Sequence, residues 1–137
     1  MTNSTKTSDF ISNLVDTELE LEGRLDIQVG MAATRSSGTD SYPYTVTEIT
    51  GKKGNRTITL RRDNHRPDGN HSYEYGGKQS FIYIPNPEGA KEYIQEKNWM
   101  FENTYKVSIK NQDTGRFRKG HGYIHFGTRR YYQDPSF

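Results

Sequence analysis

The stretch YTVTEITGKKGNRTITLRR, residues 44–62, decides the fold that this chain is expected to adopt. Residues 44–50 are rich in β-branched side chains that alternate between two faces, as in a strand. Residues 51–55, GKKGN, supply a turn, and residues 57–62 then alternate in the same way. The stretch therefore predicts an antiparallel β-hairpin.

A second hairpin is predicted towards the C-terminal end of the chain. Tyr105, Val107 and Ile109 alternate with polar residues, which is the period of a strand. Residues 111–115 then turn the chain back towards residues 116–118, and a last strand is expected at 123–126. Together the hairpins predict a mainly β domain of the α+β class, built as an antiparallel twisted sheet or a partly open barrel.

A short N-terminal helix and a minor second helix are predicted beside the strands. Ser8 or Asp9 can cap a helix over residues 8–22, whose outer face is acidic. Its apolar face carries Phe10, Ile11, Leu14 and Val15. Because so short a helix is marginal alone, we expect it to act as an oligomerisation arm on a partner subunit or to dock on its own domain. Residues 90–97 predict one or two further helical turns.

The composition predicts one domain with a thin core. The chain of 137 residues has the length of a single domain, and we assign residues 1–7 to a disordered tail and residues 8–137 to one β-rich domain. Only 30% of the residues are hydrophobic and the mean hydropathy is -1.04, so much of the buried area must come from the 10 tyrosines. Domains of this kind often complete their cores by oligomerising.

Several classes of protein are excluded by what the sequence lacks. With no cysteine, disulfides, thiolate metal sites and cysteine nucleophiles are impossible. No run of about 18 apolar residues occurs, and the polar start MTNSTKTSDF does not resemble a signal peptide. A soluble intracellular protein without a membrane partner is therefore expected.

The sequence also lacks the common catalytic motifs. Walker, Rossmann and nucleophile-elbow patterns are all missing. His121 and His125 share one face of a predicted strand, but no carboxylate lies at the spacing of a metal ligand. The sequence therefore predicts no catalytic residue, no bound metal and no cofactor.

Charge is distributed unevenly along the chain. Residues 1–30 hold two basic and six acidic residues, which is a net charge of −4. Because the whole chain has a net charge of +2, residues 31–137 carry +6. The basic excess is densest after Tyr105, at Lys106, Lys110, Arg116, Arg118, Lys119, Arg129 and Arg130. Guanidinium groups grip phosphate bidentately, and aromatic rings interleaved with them favour a nucleotide as ligand. The same composition also fits an ordinary β-core with a charged exterior.

Several motifs resemble those of a family of small bacteriophage proteins. They are VGMAAT at 29–34, DSYPYTV at 40–46, RD at 62–63, the region of Tyr75, PNPEG at 85–89 and RRYYQDPSF at 129–137. Within that group the chain is most similar to the anti-Thoeris sponge proteins, which bind cyclic ADP-ribose isomers made by bacterial TIR-domain immune enzymes.

The resemblance implies a phage inhibitor of bacterial immune signalling that works without catalysis in the cytoplasm of the infected host. A homo-oligomer, dimeric or hexameric, would enclose the cyclic nucleotide messenger and lower its free concentration. Some relatives also hold cyclic trinucleotides, which would extend the inhibition to CBASS signalling. An adenine-stacking ring and a following asparagine would correspond to Phe101 and Asn111, and arginines on the pyrophosphate to Arg129 and Arg130. With the residues favoured by composition, the predicted ligand-binding set is Tyr75, Phe101, Asn111, Arg116, Arg118, Arg129 and Arg130.

Two other functions stay open at this point. The basic strands could form a phosphate track for DNA or RNA, although a net charge of +2 and an acidic N-terminal segment count against a nucleic-acid partner. An enzyme that cleaves the messenger would need an acid-base catalyst, for which His121 or His125 is the candidate.

Overall fold

The computed structural model describes residues 25–133, and this part of the chain is all β. Its strands are β1 (Ala32–Ser37), β2 (Asp40–Thr50), β3 (Thr57–Arg62), β4 (Asn64–Pro67), β5 (Phe81–Ile84), β6 (Lys91–Phe101), β7 (Thr104–Lys110) and β8 (Phe117–Phe126). Residues 25–133 contain no helix, and so none that could span a membrane. The tail predicted at 1–7 and the helix predicted at 8–22 lie outside the described residues.

Most of the strands close into an antiparallel barrel with the order β1-β2-β3-β6-β7-β8. β8 pairs with β1, and Ala33 lies opposite Phe126 at this seam, so the backbone groups there have partners instead of forming a free edge. The prediction of a mainly β antiparallel fold is confirmed, but the barrel is closed rather than partly open. β4 and β5 form a separate two-stranded hairpin in the connection from β3 to β6.

Both predicted hairpins are present. The stretch 44–62 contributes most of β2 and all of β3, and their register includes Tyr44 opposite Arg62. β7 and β8 form the second hairpin, and β8 runs from Phe117 to Phe126, so one strand joins the predicted return at 116–118 to the strand predicted at 123–126. Local alternation with a polar turn was therefore enough to identify neighbouring strands.

The prediction of a minor helix at residues 90–97 is wrong, because residues 91–97 belong to β6. β6 pairs with β3 on one side and with β7 on the other, so the barrel closes only if this segment is extended. Ile94 points into the core and is 0% exposed. Helix propensities of ordinary residues span only about 0.7 kcal/mol per residue, and the two sets of strand pairs outweigh that local preference.

The interior of the barrel is filled by side chains. Its buried hydrophobic residues are Ile27, Ala33, Tyr44, Val46, Ile58, Leu60, Ile94, Tyr105, Val107, Ile124 and Phe126. The rings of Tyr105 and Phe126 meet edge to face at 5.4 Å between centroids. Barrels of about eight strands are the smallest that hold even one small ligand, so a ligand of this narrower barrel has to bind on its outside.

A buried ion pair closes one end of the barrel. Glu96 is 4% exposed, and its Oε1 accepts a hydrogen bond from the backbone N–H of Gly54 at 2.6 Å. Nη2 of Arg56 lies 2.7 Å from Oε2 of Glu96, and Nη1 donates to the carbonyl of the core residue Ile27 at 3.3 Å. Burial opposes ionisation of Glu96, but the hydrogen bonds and charge of Arg56 outweigh it, and the pKa of Glu96 is lowered.

A second ion pair lies at the opposite end. Nε of Arg35 on β1 is 3.1 Å from Oε1 of Glu92 on β6, and these strands are not neighbours in the sheet, so the pair spans the end of the barrel. Burial raises the pKa of Glu92, although the charge of Arg35 opposes the shift. Burial, followed by the Glu92 charge, also raises the pKa of Tyr44. Polar groups therefore cap the apolar core at both ends.

Candidate functional site

The C-terminal segment 129–133 is built into the domain. Asp63, whose side chain is 0% exposed, accepts a hydrogen bond from Thr45 Oγ1 at 2.6 Å and lies 2.9 Å from Nε of Arg129. The Nε–Oδ2 contact is an ion pair without hydrogen-bond geometry, and Nη2 of Arg129 donates instead to Thr45 Oγ1 at 3.0 Å. Arg129 therefore neutralises a buried carboxylate of its own chain.

Backbone and amide contacts fix the rest of this segment. Tyr132 forms a bridge with Ser41 at the start of β2, with N–H to carbonyl hydrogen bonds in both directions. Gln79 Nε2 donates to the carbonyl of Gln133 at 2.8 Å, and Gln79 Oε1 accepts from the N–H of Gln133 at 3.1 Å. The segment therefore ties the loop before β5 to the barrel.

Five aromatic rings meet on the outside of the barrel and form a ring cluster, which consists of Tyr42, His65, His71, Phe81 and Tyr131. The rings of His65 and Tyr131 stack at 3.8 Å with an interplanar angle of 21°. Phe81 meets Tyr131 edge to face at 4.9 Å and lies 4.7 Å from His71. β4 and β5 carry His65 and Phe81 as neighbours, because Tyr83 pairs with His65 and Pro67 with Phe81.

Three members of the ring cluster, His71, Phe81 and Tyr131, line a cleft of about 410 Å³, which we name the ring cleft. Its walls include His71, Tyr73, Glu74, Tyr75, Gln79 and Gln133. Tyr73 and Tyr75 are each 84% exposed, so most of their ring surface faces solvent. The ring cleft therefore combines free aromatic faces with amide and carboxylate groups on its rim.

The loop that carries these tyrosines is shaped by internal hydrogen bonds. Asp68 accepts from the Ser80 hydroxyl at 2.6 Å and from the N–H of Asn70 at 2.7 Å. The Ser80 hydrogen bond, followed by that of Asn70, lowers the pKa of Asp68. A Cβ at Gly77 would collide with the side chain of Ser72. The loop can therefore bring these two residues this close only because residue 77 is a glycine.

The two histidines of the ring cluster lie in different surroundings. His71 accepts the backbone N–H of Ser80 on Nδ1 at 3.1 Å, so its neutral ring carries the proton on Nε2 and offers a donor there. Burial, followed by the charge of Arg62, lowers the pKa of His65. His65 is therefore held as the neutral imidazole that stacks on Tyr131.

Two arginines lie beside rings close to this surface. The guanidinium carbon of Arg62 is 4.2 Å from the ring centroid of Tyr42, and that of Arg130 is 5.0 Å from the ring centroid of Tyr132. Both distances are in the range of a cation–π contact. Since Tyr42 also contacts Tyr131 at 6.1 Å, positive charge borders the ring cluster.

The predicted ligand-binding residues are not brought together as one site. Tyr75 lines the ring cleft, and Arg130 lies in the segment that borders it. Phe101 and Asn111 flank the two ends of the seven-residue β7, a separation of about 20 Å at roughly 3.3 Å per residue. Oδ1 of Asn111 accepts N–H bonds inside its own turn.

The remaining basic and histidine candidates lie elsewhere on the barrel. Arg116 and Arg118 are exposed at the start of β8. His125 forms a 3.0 Å contact between its Nδ1 and Thr104 Oγ1, while the carbonyl of His121 accepts from Arg35. Residues 25–133 contain no group of three or more His, Asp or Glu side chains placed to hold a metal ion.

Sequence reasoning predicted aromatic rings interleaved with arginines but did not predict which rings meet, because the contacts of Phe81 with His65 and His71 depend on the pairing of β4 with β5 and on the loop between them. Tyr131 did belong to a motif singled out in the sequence, but its role as the ring that joins the hairpin to the barrel needs the fold. Comparison of the chain with protein-family models, with curated proteins and with solved structures finds no match.

Proposed function

We propose that this chain binds a small nucleotide in the ring cleft and holds it without cleaving it. Following the resemblance to phage sponge proteins, the ligand we propose is a cyclic nucleotide messenger of bacterial immune signalling, such as a cyclic ADP-ribose isomer. The observation that carries the proposal is the pair of tyrosines, Tyr73 and Tyr75, each 84% exposed on the wall of an aromatic cleft.

Exposed rings of this kind suit a nucleobase. Stacking of a base on an aromatic side chain contributes about 1 to 3 kcal/mol, and a cleft of about 410 Å³ falls in the range of about 300 to 1,000 Å³ typical of small-molecule sites. The amides of Gln79 and Gln133 and the carboxylate of Glu74 lie on the same walls. These groups can pair with base edges and ribose hydroxyls.

The distribution of charged side chains favours a position for the phosphate groups of the ligand at the border of the ring cleft and not at its centre. Glu74 on the wall would repel a phosphate placed beside it. Arg130 is exposed in the segment next to the cleft, so a phosphate group is better placed on that side. Arg129 contributes less, because its charge is already matched by buried Asp63.

The hydrogen bonding of His71 favours retention of the ligand over cleavage. Its Nδ1 lone pair is occupied by the N–H of Ser80, so the neutral ring has no free lone pair with which to act as a general base. The Nε2–H remains a donor and can hold a carbonyl, ring nitrogen or phosphate oxygen.

The test is to mix the full-length protein with cyclic ADP-ribose isomers and cyclic trinucleotides, remove the protein by ultrafiltration, and then release bound material by heat. Mass spectrometry of filtrate and released fraction should show depletion followed by recovery of the intact nucleotide. Recovery of an altered product would make the protein an enzyme. Absence of depletion for every nucleotide would refute binding.

A matched pair of variants locates the binding. Tyr75→Ala removes a ring from the ring cleft. The control, Tyr123→Ala, removes a ring on β8 that is 41% exposed and lies outside the cleft. We expect only the first to reduce retention. An equal loss in both variants, or a loss confined to Tyr123→Ala, would move the site away from the ring cleft.

A further inference from the structure

A second concave surface lies on the outer wall of the barrel and is apolar. It has a volume of about 510 Å³ and is lined by Ser36, Met100, Phe101, Glu102, Thr104, Tyr123 and His125. Met100, Phe101 and Tyr123 are 43%, 57% and 41% exposed. Single exposed hydrophobic residues are ordinary, but a contiguous group marks an interaction surface. We name this surface the wall groove.

The strand register explains why these residues meet. Phe101 pairs with Thr104 across β6 and β7, and Thr104 pairs with His125 across β7 and β8. Tyr123 pairs with Ser36 across the seam between β8 and β1. Paired residues point to the same face of a sheet, so the wall groove is a continuous outward face.

The described chain starts at the rim of this groove. The backbone N–H of Leu25 donates to Oδ1 of Asn103 at 2.7 Å, and Asn103 lies in the turn between Glu102 and Thr104, which both line the groove. The side chain of Leu25 packs against Gly127 at the end of β8. The described chain therefore begins beside the wall groove.

The composition of the preceding segment complements the groove. Residues 10–21 include the apolar Phe10, Ile11, Leu14 and Val15, which the sequence places on one helical face, and the segment around them is acidic. A cation lies at the groove, since Nζ of Lys106 is 4.7 Å from the ring centroid of Tyr123. The amino-acid composition of the segment, apolar with acidic residues around it, therefore complements a groove that has an apolar surface and a lysine beside it.

We propose that residues 10–21 dock with their apolar face in the wall groove of their own chain. The connection favours this occupant, because 10 residues from Val15 to Leu25 reach at most about 35 Å, and the groove begins at the point of attachment. A short tether raises the effective concentration of the segment at the groove to about the millimolar range. Phe101 then packs against the chain's own segment instead of a ligand.

The absence of cysteine from the chain allows the proposal to be tested by pairwise cross-linking in the full-length protein. Leu14→Cys is combined with Met100→Cys in the groove, and the pair is treated with a short bis-maleimide. The control combines Leu14→Cys with Ile82→Cys, which is 42% exposed on β5. A second control replaces Leu14→Cys by Asp16→Cys on the acidic side of the segment.

The expected result is an intramolecular cross-link between positions 14 and 100 that forms at least tenfold faster than in either control pair, as measured by mass spectrometry of peptides. Cross-linked dimers in place of this product would show that the segment covers the groove of a second copy, which overturns docking on its own chain. Equal rates in all pairs would show that the segment does not occupy the groove. The result is independent of nucleotide binding, so it stands or fails separately from the proposed function.

Discussion

Replacement of Arg129 by methionine is expected to destabilise the domain by about 3 kcal/mol. The side chain of Asp63 is 0% exposed and faces Arg129 Nε at 2.9 Å, so Arg129→Met leaves a buried carboxylate with only the hydroxyl of Thr45 as partner. Removing one member of a buried ion pair costs about 3 to 5 kcal/mol. We take the lower value because the Arg129 side chain is 27% exposed, which admits some water.

The assay is equilibrium unfolding in urea, followed by fluorescence of Trp99, the single tryptophan. With a slope of about 2 kcal/mol per M, a loss of 3 kcal/mol lowers the midpoint by about 1.5 M. The double variant Asp63→Asn with Arg129→Met removes both charges, so we expect it to regain more than half of the loss. The neighbouring control Arg130→Ala should change stability by less than about 0.5 kcal/mol.

Two results would refute this reasoning. A loss below about 1 kcal/mol in Arg129→Met would show that Asp63 does not depend on this guanidinium. Additive effects in the double variant would show that the two side chains do not act as a pair. Either outcome would return Arg129 to the set of arginines free to bind phosphate.

Four further predictions follow from the barrel and the cleft. Glu96→Ala removes the carboxylate that accepts from Arg56 and from the N–H of Gly54, leaves the guanidinium only the Ile27 carbonyl and Asp26, and should lower the unfolding free energy by about 3 kcal/mol in urea titrations. The lowered pKa of His65 means that the unfolded chain binds more protons, so stability should rise with pH below about 6.5; His65→Phe should remove this part of the pH dependence of the urea midpoint. Gly89→Ala places a Cβ against the β3 backbone and should cost about 1 to 3 kcal/mol, whereas Gly69→Ala has open space and should cost less. Tyr75→Ala should weaken nucleotide binding about 5-fold to 150-fold in titration calorimetry with an unchanged melting temperature, and unchanged affinity would remove this ring from the site.

The way in which the C-terminal motif is used shows the limit of reasoning from residue types. A doubled arginine beside a doubled tyrosine predicts an anion site, since both side chains suit phosphate and base. In the fold, Arg129 contacts Asp63 and Tyr131 stacks on His65, while Arg130 is exposed. The sequence identified residues 129–133 as a segment of interest. Asp63 and His65, each 66 residues before its partner, determine which side chains of the segment are held by contacts within the protein.

The sequence by itself determined the local elements. In the stretch 44–62, alternation and a polar turn gave β2 and β3, because neighbouring strands are selected by contacts between residues close in the chain. The same holds for the turn at 111–115 between β7 and β8. The absence of cysteine and of catalytic motifs likewise follows from the residues alone.

Only the tertiary structure decided the closure of the barrel, the extended state of residues 90–97 and the position of the ring cleft. Closure depends on pairing between β1 and β8, which are separated by most of the described chain, and it forces residues 90–97 to bridge β3 and β7 despite their helical preference. The ring cluster joins Tyr42, His65, His71, Phe81 and Tyr131. No local period relates such distant positions, because their contact is set by the register of the closed sheet.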